Sequence, residues 1–223
     1  MKHLKYMSTD SKITLNVLKK HFLNKNKISH ESFESLSKRT DANINKNKKI
    51  INFTDRKLIK SAVLVPIVFE ENKISIILTH RSSNLKDHAG QISFPGGRID
   101  QKDISPVDTA LRETYEEIGI EKEFINVLGN LDTYITGTGF QILPIISYVK
   151  DGYDITINSK EVESYFKLPL DFLMNKKNHN VDKKLYNNGE ISYNYNFNVI
   201  NYDKHYIWGA TASILLNLYE KLK

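Results

Sequence analysis

The segment from Ser105 to Gly119 carries the sharpest folding signals in the 223-residue chain and restricts its fold most. Ser105 is a suitable N-cap, Pro106 suits the first helical position, and Asp108 completes a spacing like that of a capping box. Gly119 suits the position just after the last helical residue. One side of the predicted helix is mainly apolar and must be buried against another layer of the structure. That side consists of Val107, Leu111, Thr114 and Ile118. The sequence therefore predicts a helix over about residues 105–118 that packs on a sheet.

Three glutamates lie on the other side of this predicted helix. Glu113, Glu116 and Glu117 project together, and like charges at this spacing destabilise a helix by roughly 0.2–0.5 kcal/mol per pair. Arg112 lies four residues before Glu116 and can offset part of one charge. Clustered carboxylate oxygens are ligands that Mg²⁺ or Mn²⁺ prefers, above all where substrate phosphates complete the shell. From these residues alone, the cluster is either a metal site or an ordinary solvated acidic face.

After residue 60 the chain alternates short apolar runs with turns. Residues 62–69 and 74–79 are predicted to be two strands of a hairpin. Further predictions are strands over residues 124–134, 141–149 and 191–201, a second helix over 208–222, and an exposed Lys- and Asn-rich insertion over 169–190. The strands lie too close together in sequence for regular βαβ crossovers. We therefore predict an α/β protein with a mixed or antiparallel sheet.

The positive charge is confined to one end of the chain. The whole chain has 32 Lys+Arg and 26 Asp+Glu, a net charge of +6. Residues 1–60 carry 15 basic and 5 acidic residues (+10), which leaves 17 and 21 (−4) for residues 61–223. We therefore predict a basic, polar N-terminal extension over 1–60 and a domain over 61–223. The extension supports a second hypothesis, a nucleic-acid-binding protein, whereas the acidic body argues against a basic binding face there.

Composition excludes several other classes. The chain has no cysteine, which excludes disulfide scaffolds, cysteine-containing zinc sites and thiol catalysis. Its longest apolar run, residues 62–69, is far shorter than the roughly 20 residues that span a bilayer. The first residues, MKHLKYMSTDSK, contain no apolar stretch that could serve as a signal-peptide core. We therefore expect a cytoplasmic protein with no membrane partner.

The residues around the predicted acidic helix resemble a known motif. Residues 112–120, RETYEEIGI, follow the pair Gly96–Gly97 and resemble the Nudix box, which belongs to hydrolases of diphosphates linked to another moiety. This chain has one extra residue before Arg112, and Asp103 stands where the usual box has a glutamate. The resemblance implies the Nudix fold over residues 61–223, an α/β structure in which a mixed β-sheet is sandwiched between helices (α/β/α).

A second stretch resembles one branch of this family. Residues 78–97, LTHRSSNLKDHAGQISFPGG, are similar to the additional motif of the coenzyme A branch, in which the box is also one residue longer. Residues 134–140 and 207–212 resemble that branch too. The resemblance implies metal-dependent hydrolysis of coenzyme A (CoA) or acyl-CoA to 3′,5′-ADP and (acyl-)phosphopantetheine. The alternative within the family is another nucleoside diphosphate, such as ADP-ribose, NADH or a dinucleotide.

The resemblance also implies roles for acidic residues. The implied ligands for Mg²⁺ or Mn²⁺ are Glu113, Glu116, Glu117 and the backbone carbonyl of Gly97. Arg112 would orient the carboxylates. The general base is left open among Glu113, Glu161 and Glu163, and the last two have the alternative of a solvated helix start. Asp100 and Asp103 are predicted to shape the loop before the helix rather than to bind metal.

The implied contacts to the substrate phosphates are Arg81, Ser82, Lys86 and Gly96. Arg81 and Ser82 follow a predicted strand end, and a guanidinium matches phosphate geometry with two parallel hydrogen bonds. Lys86 stands where the motif usually has arginine, so the charge is kept but the fork is lost. The expected partner is a small-molecule diphosphate and not a nucleic acid, and a homodimer remains open.

Overall fold

The computed structural model describes residues 15–22, 33, 38–40, 58–85, 88–187 and 192–223. The helices in these ranges are α1 (Leu15–Phe22), α2 (Pro106–Ile118), α3 (Leu170–Met174) and α4 (Gly209–Leu222). Turns of 3₁₀ helix lie at Lys122–Phe124 and Lys176–Asn178. The strands are β1 (Lys38–Thr40), β2 (Ile59–Glu70), β3 (Lys73–Arg81), β4 (Ile92–Ser93), β5 (Gly96–Arg98), β6 (Ile125–Asn130), β7 (Thr133–Ile135), β8 (Phe140–Val149), β9 (Val162–Pro169), β10 (His179–Asn187), β11 (Ser192–Tyr202) and β12 (His205–Trp208).

The main sheet is mixed and is built around β2. Its strand order is β1-β7-β8-β2-β3-β4, with β5 paired to β2, β6 to β8 and β9 to β3. The pair β2–β8 is parallel, whereas β2–β3 and β2–β5 are antiparallel. A second, antiparallel sheet has the order β10-β11-β12. Because β2 lies between partners and is covered on both faces, its residues form a nearly continuous apolar run rather than an alternating one.

Two apolar cores cover the two faces of the main sheet. Leu64 of β2 packs with Ala110 and Ile118 of α2 on one face. Val65 points the other way and packs with residues of α4, among them Leu215. Each fully buried aliphatic side chain contributes about 1.5–3 kcal/mol to folding. The sheet thus lies between helices, and the α/β/α arrangement expected from the sequence is confirmed.

The structure confirms the hairpin β2–β3 and both long helices, and it corrects two predictions. Residues 169–190 are not simply an exposed insertion, because α3 packs on β3 and β10 pairs with β11 over its full length. The lysines of β10 suit an edge strand with one solvated side, and their polarity hid the strand. The single strand predicted over 124–134 is two strands, β6 and β7, which both pair with β8.

The described parts of residues 1–60 pack on the domain. Leu18 and Phe22 of α1 are buried in the core on the α4 side, and Phe33 is buried in the core on the α2 side. Strand β1 runs parallel to β7 at one end of the sheet. The division of the chain at residue 60 stays a prediction. In the part of the chain that the structure describes, no helix is both long and apolar enough to cross a membrane.

Candidate active site

Helix α2 is fixed at both ends by the predicted caps. The Ser105 hydroxyl accepts a hydrogen bond from the Asp108 backbone N–H at 3.2 Å. Gly119 ends the helix with a left-handed backbone (φ 73°), and its N–H donates to the Tyr115 carbonyl at 2.9 Å. These caps satisfy backbone groups that a helix end leaves unpaired. They fix where the helix begins and ends, and Glu113, Glu116 and Glu117 (the acidic cluster) lie in its last two turns.

Glu117 is the buried member of the acidic cluster. Only 1% of this residue is exposed, so the prediction that it lies opposite the buried face of the helix is wrong. Its Oε1 lies 3.4 Å from Nη1 of Arg81, and its Oε2 has no hydrogen-bond partner among the described residues. Burial raises the pKa of Glu117 to about 8, with the charge of Glu113 adding to the effect and Arg81 opposing it. The buried face of α2 is therefore wider than its apolar stripe.

Arg112 joins the loop before α2 to the acidic cluster. Its Nε and Nη2 donate to the two carboxylate oxygens of Asp103, at 3.0 and 2.9 Å. Its Nη1 donates to Glu113 at 2.9 Å and to Glu116 at 3.1 Å. Hydrogen bonding to Arg112 lowers the pKa of Asp103 to about 2. Asp103 also accepts from the Asp100 backbone N–H at 2.9 Å, which confirms that these aspartates shape the loop.

Gly96 and Gly97 allow β5 to lie against both β2 and α2. A Cβ atom on Gly97 would lie 2.4 Å from the carboxyl carbon of Glu113. A Cβ atom on Gly96 would lie 2.5 Å from the carbonyl oxygen of Ala62 and from the Cα of Val63, and its φ of 152° is rare for other residues. Gly96 is thus required by the backbone of β5, and Gly97 leaves room for the Glu113 carboxylate.

Arg81 and Ser82 lie beside the acidic cluster, at the end of β3. The Arg81 side chain is 25% exposed and reaches Glu117. Ser82 is buried, and its backbone N–H donates to the Glu161 carbonyl at 2.8 Å. Of the four implied phosphate contacts, the structure thus brings Arg81 to the acidic helix, with Ser82 next to it in the chain, and Gly96 lies on strand β5, which pairs with β2. Lys86 lies outside the described residues.

Glu161 and Glu163 have different surroundings. Strand β9 begins at Val162, so the alternative of a solvated helix start is wrong. The β3–β9 pairing shifts register at this point. The charge of Glu161 acts on the acidic cluster, where it adds to the effect of burial on Glu117. Burial lowers the pKa of His80, and the charge of Glu163 opposes that shift. Glu161 is therefore electrostatically part of the candidate site, whereas Glu163 acts next to His80, whose side chain leaves β3 on the opposite face from Arg81.

The acidic cluster offers carboxylate oxygens, the kind of ligand that a divalent cation such as Mg²⁺ prefers. Within the ranges that the structure describes, no three acidic or histidine side chains are arranged around a shared metal position. Arg112 instead holds Glu113 and Glu116, and Arg81 holds Glu117. Burial raises the pKa values of both Glu113 and Glu117, and one buried Glu117 oxygen has no partner among these residues. The two guanidiniums therefore do not fully neutralise the three carboxylates of the acidic cluster. Mg²⁺ or Mn²⁺ would supply positive charge, and both ions prefer hard carboxylate oxygens as ligands.

Two contacts at this end of the sheet were not predicted. Asp103 is the two-point partner of Arg112, although only its place in the box hinted at a role. Arg98 packs its guanidinium over the ring of Phe140, with 5.3 Å between the guanidinium carbon and the ring centre. Phe140 lies in the segment 134–140 that resembles the family, but the sequence did not indicate this contact. The first contact is local, nine residues apart, whereas the second joins segments that are distant in the chain.

The chain matches proteins of a known family. The model of the NUDIX domain matches residues 58–188. The chain is 36% identical over 163 residues to a Nudix hydrolase named NudL from Yersinia enterocolitica, which covers 73% of this chain and 80% of the relative. It is 34% identical over 160 residues to NudL from Citrobacter koseri, covering 71% and 80%. A solved structure, the C. elegans Ap4A hydrolase binary complex, is 20% identical with a TM-score of 0.44, over 50% of this chain and 80% of that one.

The two glycines of β5 should respond differently to the same substitution. We expect Gly96→Ala to lower the free energy of unfolding by at least about 2 kcal/mol, because its Cβ meets backbone atoms and its φ is unfavourable. We expect Gly97→Ala to cost about 1 kcal/mol, because its Cβ meets a side-chain end rather than backbone, and the Glu113 carboxylate can shift at the expense of its hydrogen bond to Arg112. Urea unfolding of both variants measures the difference. Equal destabilisation by the two variants would contradict this description of β5.

Proposed function

The chain belongs to the Nudix hydrolases, which act on nucleoside diphosphate derivatives, and we propose that its substrate is coenzyme A or acyl-CoA. The products are 3′,5′-ADP and (acyl-)phosphopantetheine. The contact between Arg81 and Glu117 carries the proposal, because it joins the 78–97 segment, which resembles the coenzyme A branch, to the acidic helix. A group suited to phosphate thus lies next to a group suited to metal. A cytoplasmic location and a homodimer remain predictions.

The proposed metal ligands are Glu113, Glu116 and Glu117, together with the carbonyl of Gly97, a residue that lies against the Glu113 carboxylate. Bound Mg²⁺ or Mn²⁺ supplies charge neutralisation for the diphosphate and an activated water. Arg112 keeps the carboxylates of Glu113 and Glu116 side by side, and its two hydrogen bonds to Asp103 fix the guanidinium plane. Arg112 is therefore a positioning residue. Glu116 is about half exposed, whereas Glu117 is enclosed, so the proposed site opens on the Glu116 side.

Arg81, Ser82 and Gly96 are the proposed contacts to the substrate phosphates. Arg81 uses one guanidinium nitrogen on Glu117 and is partly exposed, which leaves donors for a phosphate. Its position beside the acidic cluster would hold the diphosphate against the metal ligands. Lys86 is proposed as a further contact from the motif alone.

Glu161 is the better-supported general base of the three candidates. Glu113 accepts a hydrogen bond from Arg112 and packs on Gly97, so it is held as a ligand. Glu163 acts on His80 instead of on the acidic cluster. In the proposed reaction Glu161 takes a proton from water, the water oxygen bonds to phosphorus, and the bridging P–O bond breaks. The leaving phosphate departs with the electron pair of that bond.

A panel of diphosphates tests the proposed substrate. We expect CoA to be cleaved with Mg²⁺ or Mn²⁺ to 3′,5′-ADP and phosphopantetheine, and to be preferred over ADP-ribose and NADH, with products identified by mass spectrometry. Preference for ADP-ribose or NADH would refute the proposal that CoA is the substrate.

Substitution of Glu117 tests the proposed metal ligand. We expect Glu117→Gln to abolish hydrolysis while the protein stays folded, because the amide is a weak metal ligand. Undiminished turnover by this variant would refute the assignment of Glu117 as a ligand.

A matched pair of variants tests the general base. We expect Glu161→Gln to lower kcat by about 10²- to 10⁴-fold, which is the usual contribution of general base catalysis. We expect Glu163→Gln, two residues away with the same change of charge, to stay within about 2-fold of the wild type. Steady-state kinetics with CoA measures both. A large loss in Glu163→Gln with none in Glu161→Gln would reverse the assignment, and no loss in either would exclude both residues.

A further inference from the structure

A cationic and aromatic cluster lies next to Gly97, away from the acidic cluster. Arg98 is exposed, and its guanidinium carbon lies 5.3 Å from the centre of the Phe140 ring. The ring of His88 meets the same phenyl ring nearly at right angles, with 6.3 Å between their centres. These three residues, named the Arg98 cluster, come from β5, the start of β8 and the loop after β3.

Strand register shows which face of the sheet carries the Arg98 cluster. Arg98 pairs directly with Ser61 of β2, and Phe140 pairs with Ile59 two residues earlier in β2. Paired residues, and residues two apart in one strand, project to the same face. This is the face that α4 covers, whereas Gly97 faces α2. The Ser61 hydroxyl on the Arg98 side is buried with no hydrogen-bond partner among the described residues, so a polar group is unsatisfied there.

The guanidinium of Arg98 is free to bind a ligand. Arg112 donates to Asp103 and to the acidic cluster, and Arg81 donates to Glu117. Among the described residues, no hydrogen bond or ion pair engages the Arg98 side chain, whose guanidinium lies over the Phe140 ring. Its backbone carbonyl accepts from Arg112 Nη2 at 3.4 Å. The cluster is therefore tied to the acidic cluster through the backbone, while its charged group remains available.

We propose that Arg98, oriented by Phe140, determines substrate specificity by binding the 3′-phosphate on the nucleotide half of the substrate. The proposal rests on the proposed function, which makes that substrate CoA. Two of its three phosphates form the diphosphate at the acidic cluster and Arg81. The third is a monoester with a charge of about −1.5 to −2 and needs a cation of its own. A guanidinium binds such a group through two hydrogen bonds. Stacking on Phe140 already restricts the Arg98 side chain, so that Arg98 loses less conformational entropy when it binds the phosphate.

Binding of the nucleotide product tests this proposal directly. Calorimetry would compare 3′,5′-ADP with 5′-AMP, both with Mg²⁺, on the wild type, Arg98→Gln, Arg98→Lys and the control Lys73→Gln. Lys73 is exposed at the opposite end of β3 from Arg81, and its substitution removes the same charge. We expect the wild type to bind 3′,5′-ADP about 10- to 100-fold more tightly, as a charge-assisted hydrogen bond provides. Arg98→Gln should lose this preference, Arg98→Lys should keep part of it, and Lys73→Gln should keep all of it.

Equal affinity of the wild type for the two nucleotides would overturn the proposal, and so would an unchanged preference in Arg98→Gln. Kinetics with CoA and 3′-dephospho-CoA separates binding from a structural effect. We expect Arg98→Gln to raise the KM for CoA about 10-fold or more and to leave kcat for CoA within about 2-fold of the wild type. Both kcat and KM for 3′-dephospho-CoA should also stay within about 2-fold of the wild type. Equal losses with both substrates would indicate a structural role and overturn the proposal. A chain that prefers 3′,5′-ADP but does not cleave CoA would refute the proposed function while supporting the role of Arg98.

Discussion

The close approach of helix α2 to strand β5 is the constraint on which the rest of the site depends. Gly97 leaves the space in which the Glu113 carboxylate lies, and Gly96 lets β5 pair tightly with β2. With the helix this near the sheet, Glu117 is buried together with Ile118. Burying a carboxylate is unfavourable unless it is paired. Arg81, whose guanidinium lies 3.4 Å from the Glu117 carboxylate, offsets part of that cost.

Two guanidiniums contact the glutamates of the acidic cluster. Arg81 contacts Glu117, and Arg112 contacts Glu113 and Glu116 and also Asp103. Three glutamates thus share two positive charges, one of which is also shared with Asp103, and a bound cation would add positive charge there. Without a cation, the raised pKa of Glu117 lets that residue hold a proton at neutral pH and so reduces the repulsion. The proposed metal binding would therefore replace a proton.

Local signals predicted the elements of the structure better than they predicted the faces of those elements. Ser105 and Gly119 were sufficient to delimit α2, because capping depends on nearby residues. The burial of Glu117 could not be predicted, because it depends on how closely β5 approaches the helix. The sequence likewise left Glu161 and Glu163 equivalent, and the register shift between β3 and β9 separates them. The acidic helix and the 78–97 segment were recognised by resemblance, but the contact between them was visible only in three dimensions.

Proton release on metal binding tests the proposal that a buried, protonated Glu117 is a metal ligand. Calorimetric titration of Mn²⁺ at pH 7, in buffers with different ionisation enthalpies, gives the number of protons released per ion bound. Because the pKa of Glu117 is raised to about 8, we expect the wild type to release close to one proton per ion and Glu117→Gln to release none. Mn²⁺ binding without proton release, or no Mn²⁺ binding at all, would contradict it.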